Sequence, residues 1–145
     1  MFSWLVERMG DDIKIIPFES KYQAEVADLF VRGLTESYQH KSETIKACQK
    51  KFVALKLSPE GDMGDIVGSF MSTGDPRRHF WIAVDGSGRV VGHVGLVPST
   101  YPADATSIYD ESRGITPDTV GELIRMSVHR DMRGRGVGQR LCAEL

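Results

Sequence analysis

The sequence has few cysteines and no long apolar run, and both shortages narrow the classes of protein to which it can belong. Cys48 and Cys142 are its two cysteines, and neither belongs to a CxxC or Cys/His cluster. Reduced thiols are therefore favoured over a disulfide framework or a metal site. No window approaches the ~18 apolar residues of a membrane span, and residues 1–12 lack the pattern of a secretory signal. We expect a cytoplasmic protein with no metal and no membrane segment.

A large excess of charge of either sign is also missing. Eighteen Lys and Arg against 20 Asp and Glu give a net charge of −2 and a pI near 6.1. This balance disfavours a dedicated nucleic-acid binder, so we expect no nucleic-acid partner, although five arginines and three acids fall within the last 25 residues. With 41% apolar residues over 145 positions, the composition fits one globular domain over residues 1–145.

Hydrophobic periodicity predicts an α/β protein with a mixed sheet. A hairpin is the clearest feature, because two strand-like runs flank the turn Asp85-Gly-Ser-Gly88. The predicted order begins with a strand at 13–18 and a helix at 21–35, which has a capping box at Ser20-x-x-Gln23. A second helix carries Ile45, Cys48, Phe52 and Leu55, and a short segment at 66–72 is capped by Asp65. The hairpin strands at 79–84 and 89–98 come next, followed by a long polar loop at 99–119, a strand at 122–128 and a helix from Gly138.

The glycine-rich stretch Arg133-Gly-Arg-Gly-Val-Gly138 stands between the last predicted strand and the last predicted helix. Such a junction leaves the first N–H groups of a helix unpaired, and the helix dipole there favours an anion. Gly136 and Gly138 would let a phosphate approach the backbone, while Arg133 and Arg135 can add charge-assisted hydrogen bonds. The turn therefore predicts an anion site.

The residues alone allow several possible functions of this turn to be compared. A Walker A loop needs Gly-Lys-Ser/Thr, whereas Gly138 is followed by Gln139 and Arg140. The spacing also fails the dinucleotide-binding pattern G-x-G-x-x-G. An RNA-binding RGRG tract is disfavoured because this stretch lies between apolar segments rather than in polar low-complexity sequence. A structural turn without a ligand stays open.

Arg133-x-x-Gly136-x-Gly138, after a strand and opening a helix, resembles the Q/R-x-x-G-x-G/A signature of the GCN5-related N-acetyltransferase (GNAT) superfamily. The resemblance extends over nearly the whole chain from Ile13. It implies a mixed sheet with helices on both faces, acetyl-CoA as cosubstrate, and direct attack of a primary amine on the acetyl group. Residues 80–98 and 122–138 are especially similar to the branch that includes the camello and N-acetyltransferase 8 proteins. The membrane segment of that branch has no counterpart in the polar residues 47–62.

The resemblance also implies roles for particular residues. The backbone of Met126 and Val128 would pair with the pantetheine arm, and the N–H of Val128 would polarise the thioester carbonyl. Glu122 is the candidate general base, and it would need a partly desolvated site to raise its pKa; a solvated glutamate is the alternative. The implied cofactor-binding residues are Met126, Ser127, Val128, Arg133, Gly134, Arg135, Gly136, Val137 and Gly138.

Other polar residues receive simpler interpretations. Strand parity places His93 with Val91, Gly95 and Val97, and a structural role is favoured over a catalytic one. We expect Arg125 to pack its stem and pair with an acid, and His129 to be exposed. Phe80 and Trp81 are assigned to the hairpin core, whereas the tyrosines and acids of loop 99–119 are candidates for the acceptor site.

The chain departs from the family pattern after Leu145, where family members continue through a further strand and helix. We therefore expect a fragment that lacks the C-terminal part of the fold. No general acid can be assigned, and the strand at 122–128 would form an open edge that invites a homodimer. A non-catalytic acetyl-CoA-binding module stays open beside the enzyme. The acceptor would be a small-molecule or protein amine.

Overall fold

A four-stranded sheet organises the computed structural model, which describes residues 12–145. All pairings are antiparallel, and each strand pairs with the next along the chain. The predicted hairpin is confirmed. The prediction about a secretory signal concerns residues 1–12, almost all of which lie outside the described range. The strands are β1 (Lys14–Pro17), β2 (His79–Val84), β3 (Val90–Pro98) and β4 (Gly121–Val128).

Helices cover both faces of the sheet, as predicted. On one face lie α1 (Gln23–Tyr38) and α2 (Glu43–Leu57), and on the other lies α3 (Val137–Ala143). A π-helical turn at Val67–Met71 supports the first face. Within residues 12–145, no helix has both the length and the apolar character needed to cross a bilayer. The predicted α/β class is confirmed.

The start of α1 differs from its prediction. Ser20 belongs to a short 3-10 turn, and no side chain caps the first turn of α1, so the predicted capping box is wrong. The Gln23 side chain instead donates from Nε2 to the Met63 carbonyl (2.8 Å) and accepts from the Ile66 N–H (3.3 Å). Because buried backbone groups need partners, this amide is used to hold the segment after α2. The predicted Asp65 cap is confirmed by its 2.9 Å hydrogen bond from the Gly68 N–H.

Two apolar clusters, one on each face, hold the helices to the sheet. The larger cluster lies under α1, where Phe80 contacts Phe18 and Phe70 edge-on with ring centroids 5.8 and 5.0 Å apart. The smaller cluster joins Val91 and Val94 to residues of α3. Burying a side chain of this size stabilises a fold by roughly 1.5–3 kcal/mol, so each cluster contributes several times that amount.

Helix α2 packs much less tightly than α1. None of its residues is buried, and Ile45, Phe52 and Leu55 are 43%, 38% and 61% exposed. Ser42 caps its first turn by accepting from the Ile45 N–H (3.4 Å). The periodicity that predicts α2 is therefore correct for the helix, but its apolar side borders a cleft and solvent instead of the core.

His93 is fully buried on the α1 face of the sheet and stacks on Phe80 with ring centroids 5.6 Å apart. The predicted parity is wrong in one respect, because Val91 packs in the opposite cluster from the residues around Phe80. A register shift beside Val84 inserts an extra residue in β3 and reverses the alternation at that point. Burial lowers the pKa of His93 to about 4, so the ring is neutral at pH 7.

The buried imidazole predicts a pH-dependent stability. The unfolded chain binds a proton at His93 below its ordinary pKa of 6.5, whereas the folded chain binds it only near 4. Stability is therefore lost as the pH falls through this window, by about 3 kcal/mol in total. Urea unfolding from about pH 7 to about pH 4 should show a smaller loss for His93→Leu than for the parent chain. His40→Gln is the control because His40 is exposed. Equal losses for His93→Leu and the parent would contradict this account.

Candidate active site

A bulge in β4 distorts the edge of the sheet at Arg125. The register moves by one residue between His93 and Gly95, so that Arg125 and Met126 lie opposite Val94. Arg125 has a φ of 53°, and it is the one non-glycine residue with positive φ in the part of the chain that the structure describes. A long side chain in this conformation is unfavourable and must be held by its surroundings. The bulge turns its side chain toward α1 and α2.

The backbone of β4 beyond the bulge has an open side. His129 donates its N–H to the Val91 carbonyl of β3 (2.7 Å). Because successive N–H groups along a strand point in opposite directions, the N–H of Val128 points away from β3. Within residues 12–145 no strand pairs with this outer side of β4. The predicted donor position at Val128 therefore faces an unpaired sheet edge.

The glycine-rich turn follows β4 directly and opens α3. Gly134 and Gly136 have φ of 74° and 76°, and Gly136 is the residue that caps α3. An L side chain is disfavoured at both positions, which explains these glycines. Gly138 is less constrained by comparison, since a Cβ there would lie 3.2 Å from Cε at the flexible end of the Met126 side chain.

The N–H groups of this turn are not used by the protein. Among residues 12–145, none of the backbone N–H groups from 134 to 139 donates to a protein acceptor. A cavity of about 400 Å³ lies beside them, lined by Val128, Met132, Arg133, Gly134, Gly136, Val137, Gly138 and Gln139. Free N–H groups that border an open cavity are the arrangement that an anion site requires.

The two arginines of the turn behave differently. Arg133 donates from its terminal nitrogen to Glu36 of α1 (2.7 Å) and from Nε to the Val128 carbonyl (3.1 Å). Its guanidinium therefore ties the turn to α1 and to the end of β4. Arg135 is exposed, which leaves it accessible to an anion.

Glu122 stands at the opposite end of β4 from the turn, paired with Val97. One carboxylate oxygen accepts from the hydroxyl of Thr100 (2.6 Å) and from its N–H (2.5 Å). The hydroxyl, and secondarily the N–H, stabilise the charged form and lower the pKa of Glu122. Glu122 therefore does not have the desolvated site that a raised pKa would need, and its solvated, hydrogen-bonded carboxylate agrees with the alternative interpretation.

An apolar cleft of about 570 Å³ opens between α1, α2 and the bulge of β4. Arg125 crosses its floor with Nε 2.9 Å from Oδ2 of Asp62 and with its guanidinium 5.5 Å from the ring of Phe52. The prediction that Arg125 packs its stem and pairs with an acid is confirmed. The cleft is bordered mainly by Phe30, Leu34, Tyr38, Ile45, Phe52 and Arg125, and it reaches Met126 and Ser127.

The remaining candidates lie apart from this cleft. Tyr109 is buried, and its hydroxyl bonds the Ser99 hydroxyl (2.6 Å) and the Tyr101 carbonyl (3.0 Å). These hydrogen bonds connect the middle of loop 99–119 to its beginning. None of the loop residues lines the cleft. The side chain of His129 is only 19% exposed, so its predicted exposure is wrong. Within residues 12–145, no three side chains of the metal-binding types are grouped.

Two residues that position the site were not singled out from the sequence. Gly33 lets α1 approach β4, since a Cβ there would lie 2.7 Å from Oγ of Ser127. A glycine within a helical pattern is a recognised signal of such an approach. Asp62, the partner of Arg125, lies 63 residues from it, and no local pattern indicates that pairing.

Residues 23–145 match the family model described as the acetyltransferase (GNAT) family. The chain belongs to the GNAT family. No curated protein sequence matches it significantly. The resemblance on which the predicted fold rests is thereby confirmed at the level of the family, and the open β4 edge and glycine-rich turn lie inside the matched region.

Solved GNAT structures share the fold at low sequence identity. A Staphylococcus aureus acetyltransferase has 17% identity and a TM-score of 0.56, over 91% of this chain and 63% of its own. A Ralstonia eutropha N-acetyltransferase has 19% identity and a TM-score of 0.55, over 91% and 72%. A Brucella melitensis acetyltransferase, solved with acetyl-CoA, has 18% identity and a TM-score of 0.51, over 91% and 64%. The chain thus spans less than two thirds of the S. aureus and B. melitensis proteins.

The contacts of Glu122 predict its titration. Its carboxyl should titrate below its ordinary pKa of 4.5 because Thr100 donates two hydrogen bonds to it. Thr100→Val removes the hydroxyl donor and should move the midpoint upward. Carbon-13 NMR of the side-chain carboxyl across acid pH measures both values, with Thr116→Val as the control on the same loop. A midpoint above 4.5 in the parent chain, or no change in Thr100→Val, would contradict the assignment.

Proposed function

We propose that this chain binds acetyl-CoA and takes part in transfer of its acetyl group to a primary amine. The observation that carries the proposal is the run of N–H groups at residues 134–139 that have no protein acceptor and border an open cavity. The family match, the bulged β4 edge and the acetyl-CoA complex of the B. melitensis relative support the same conclusion.

The turn has the features that a diphosphate requires. Gly134 and Gly136 adopt left-handed backbone conformations, and the N–H groups of residues 134–139 have no protein acceptor. Backbone donors arranged in this way hold phosphate oxygens without a metal ion. Arg135 would add a charge-assisted hydrogen bond. Arg133 would act mainly through its ion pair with Glu36, which fixes the turn relative to α1.

The outer side of β4 provides the second half of the cosubstrate site. The backbone of Met126 and Val128 would pair with the amides of the pantetheine arm in the manner of an added strand. Acetyl-CoA supplies the acetyl group in activated form, as a thioester. The outward N–H of Val128 would stabilise negative charge on the acyl oxygen, as backbone donors do in oxyanion holes.

Glu122 is retained as the proposed base, acting through water. Its pKa is lowered, so the carboxylate is ionised at neutral pH and able to accept a proton, but its basicity is weak. This weakness favours a second candidate, a module that binds acetyl-CoA without turnover. The acceptor amine would be a small molecule or a protein, and the open β4 edge would be the site of a homodimer.

Acetyl-CoA binding tests the cosubstrate site. Gly136→Asp places a carboxylate among the free N–H groups, so the affinity for acetyl-CoA in isothermal titration should fall by at least about tenfold, or about 1.4 kcal/mol. Gly88→Asp is the matched control, because Gly88 has a similar φ of 83° and open space around it, in the β2–β3 turn. The control should bind like the parent. No binding by the parent, or equal losses in both variants, would reject the site.

Turnover separates the enzyme from the binding module. With acetyl-CoA and a panel of primary amines, release of free CoA thiol should occur in the parent and fall by about 10²-fold or more in Glu122→Gln, the usual size of a general-base contribution. Acetyl-CoA affinity should stay unchanged, because Glu122 bonds Thr100 and is not among the residues proposed to hold the cosubstrate. Undiminished turnover in Glu122→Gln would remove it as the base, and no turnover with any amine would favour the binding module.

A further inference from the structure

The cleft beside the β4 bulge indicates the chemical class of the acceptor. Resting on the function proposed above, we infer that the acceptor is an amine that also carries a carboxylate, with an apolar body: an apolar amino acid or a close analogue. Arg125 would bind the carboxylate, and the walls from α1 and α2 would contact the apolar part. Arg125 is then a specificity-determining residue of the acceptor site.

Arg125 is held in place before any ligand arrives. Its φ of 53° directs the side chain out of the sheet, and Asp62 fixes Nε at 2.9 Å. The guanidinium carbon lies 6.0 Å from the ring centroid of Phe30 and 5.5 Å from that of Phe52. A guanidinium fixed between two aromatic rings loses little conformational freedom when it binds a further partner.

The terminal N–H groups of the Arg125 guanidinium are available to a ligand. Nε is the one guanidinium nitrogen of Arg125 that bonds a protein acceptor within residues 12–145. The side chain is 18% exposed and lines the cleft. A planar guanidinium edge with free terminal N–H groups fits the two oxygens of a carboxylate. The strained backbone at the bulge therefore directs unpaired cationic donors into an apolar cavity.

The charges of the cleft determine the class of ligand. Among its described lining residues there is one cation, Arg125, and no Asp or Glu. A polyamine or a basic side chain would therefore find no counter-ion on the cleft wall, whereas a carboxylate would meet the terminal N–H groups of Arg125, which Asp62, bonded at Nε, leaves free. Ile45 and Leu34 provide apolar surface on the two helices. A volume of about 570 Å³ is in the range of small-molecule sites.

The cleft also lies next to the proposed transfer site. Met126 and Ser127 line it, and these residues immediately precede Val128, whose N–H faces the open edge of β4. A molecule whose carboxylate is bound at Arg125 would thus lie beside the strand that is proposed to hold the acetyl donor. The cavities beside the glycine-rich turn include Arg133, whose guanidinium is already bonded to Glu36 and to the Val128 carbonyl.

Binding to the unaltered chain is the primary test. L-phenylalanine and phenethylamine share an aromatic body and an amine, and only the first has a carboxylate. Isothermal titration should show L-phenylalanine binding at least tenfold more tightly than phenethylamine. Nitrogen-15 NMR should show the Arg125 Nε–H signal shifting with L-phenylalanine alone. Equal affinities, binding of neither compound, or an unmoved Arg125 signal would overturn the inference.

Variants locate the carboxylate site. Arg125→Gln combined with Asp62→Asn removes both charges together, so that neither is left buried without its partner, and L-phenylalanine affinity should fall at least tenfold. Arg89→Gln, in the β2–β3 turn, should bind like the parent. If the double variant does not fold, the comparison of the two ligands on the parent chain decides the question. Retained affinity in a folded double variant would overturn the inference.

The two proposals fail in different ways. If acetyl-CoA does not bind, or no amine is acetylated, the proposed function is rejected, while the ligand comparison still decides whether Arg125 selects carboxylates. If acetyl-CoA binds and phenethylamine is acetylated as efficiently as L-phenylalanine, transfer stands and the carboxylate preference is rejected.

Discussion

The pairing of β4 with β3 is the interaction on which the rest of the site depends. One extra residue in β4 shifts the register beside Val94, and the strand then regains regular pairing as far as His129. That single irregularity directs Arg125 toward the helices and leaves the Val128 N–H on the outer side. Antiparallel pairing thus fixes both the cleft beside α1 and α2, which is the proposed acceptor site, and the open edge of β4, which is the proposed cosubstrate site.

Electrostatic contacts attach the helices to this strand at two places. Arg133 pairs with Glu36 of α1 at the end of β4, and Arg125 pairs with Asp62 after α2. The Arg133–Glu36 pair is partly exposed and should contribute little stability by itself, whereas the side chains of Arg125 and Asp62 are only 18% and 23% exposed. Their value here is positional, since each joins segments far apart in the chain and sets where a helix lies relative to β4. The cleft and the glycine-rich turn are consequently both positioned by the second half of the same strand.

The sequence predicts much of the fold because its signals are local. Alternation in β2 and β3, the Asp85 turn and the glycines after β4 each depend on neighbouring residues, and those elements form as predicted. Features that depend on distant partners were missed. The capping box at Ser20 fails because Gln23 is engaged by backbone groups some 40 residues away. The pKa of Glu122 is lowered because Thr100, two residues after β3, donates to its carboxylate.

Helix α2 shows how this fold can separate folding from recognition. Its side chains facing the cleft contribute little to the core, since none of them is buried. Exchanging one apolar residue there for another leaves the clusters around Phe80 and Val94 intact. On the proposed function, exchanges along this one helix would change which molecule the cleft accepts, at little cost to thermodynamic stability, while the backbone of β4 stays as it is.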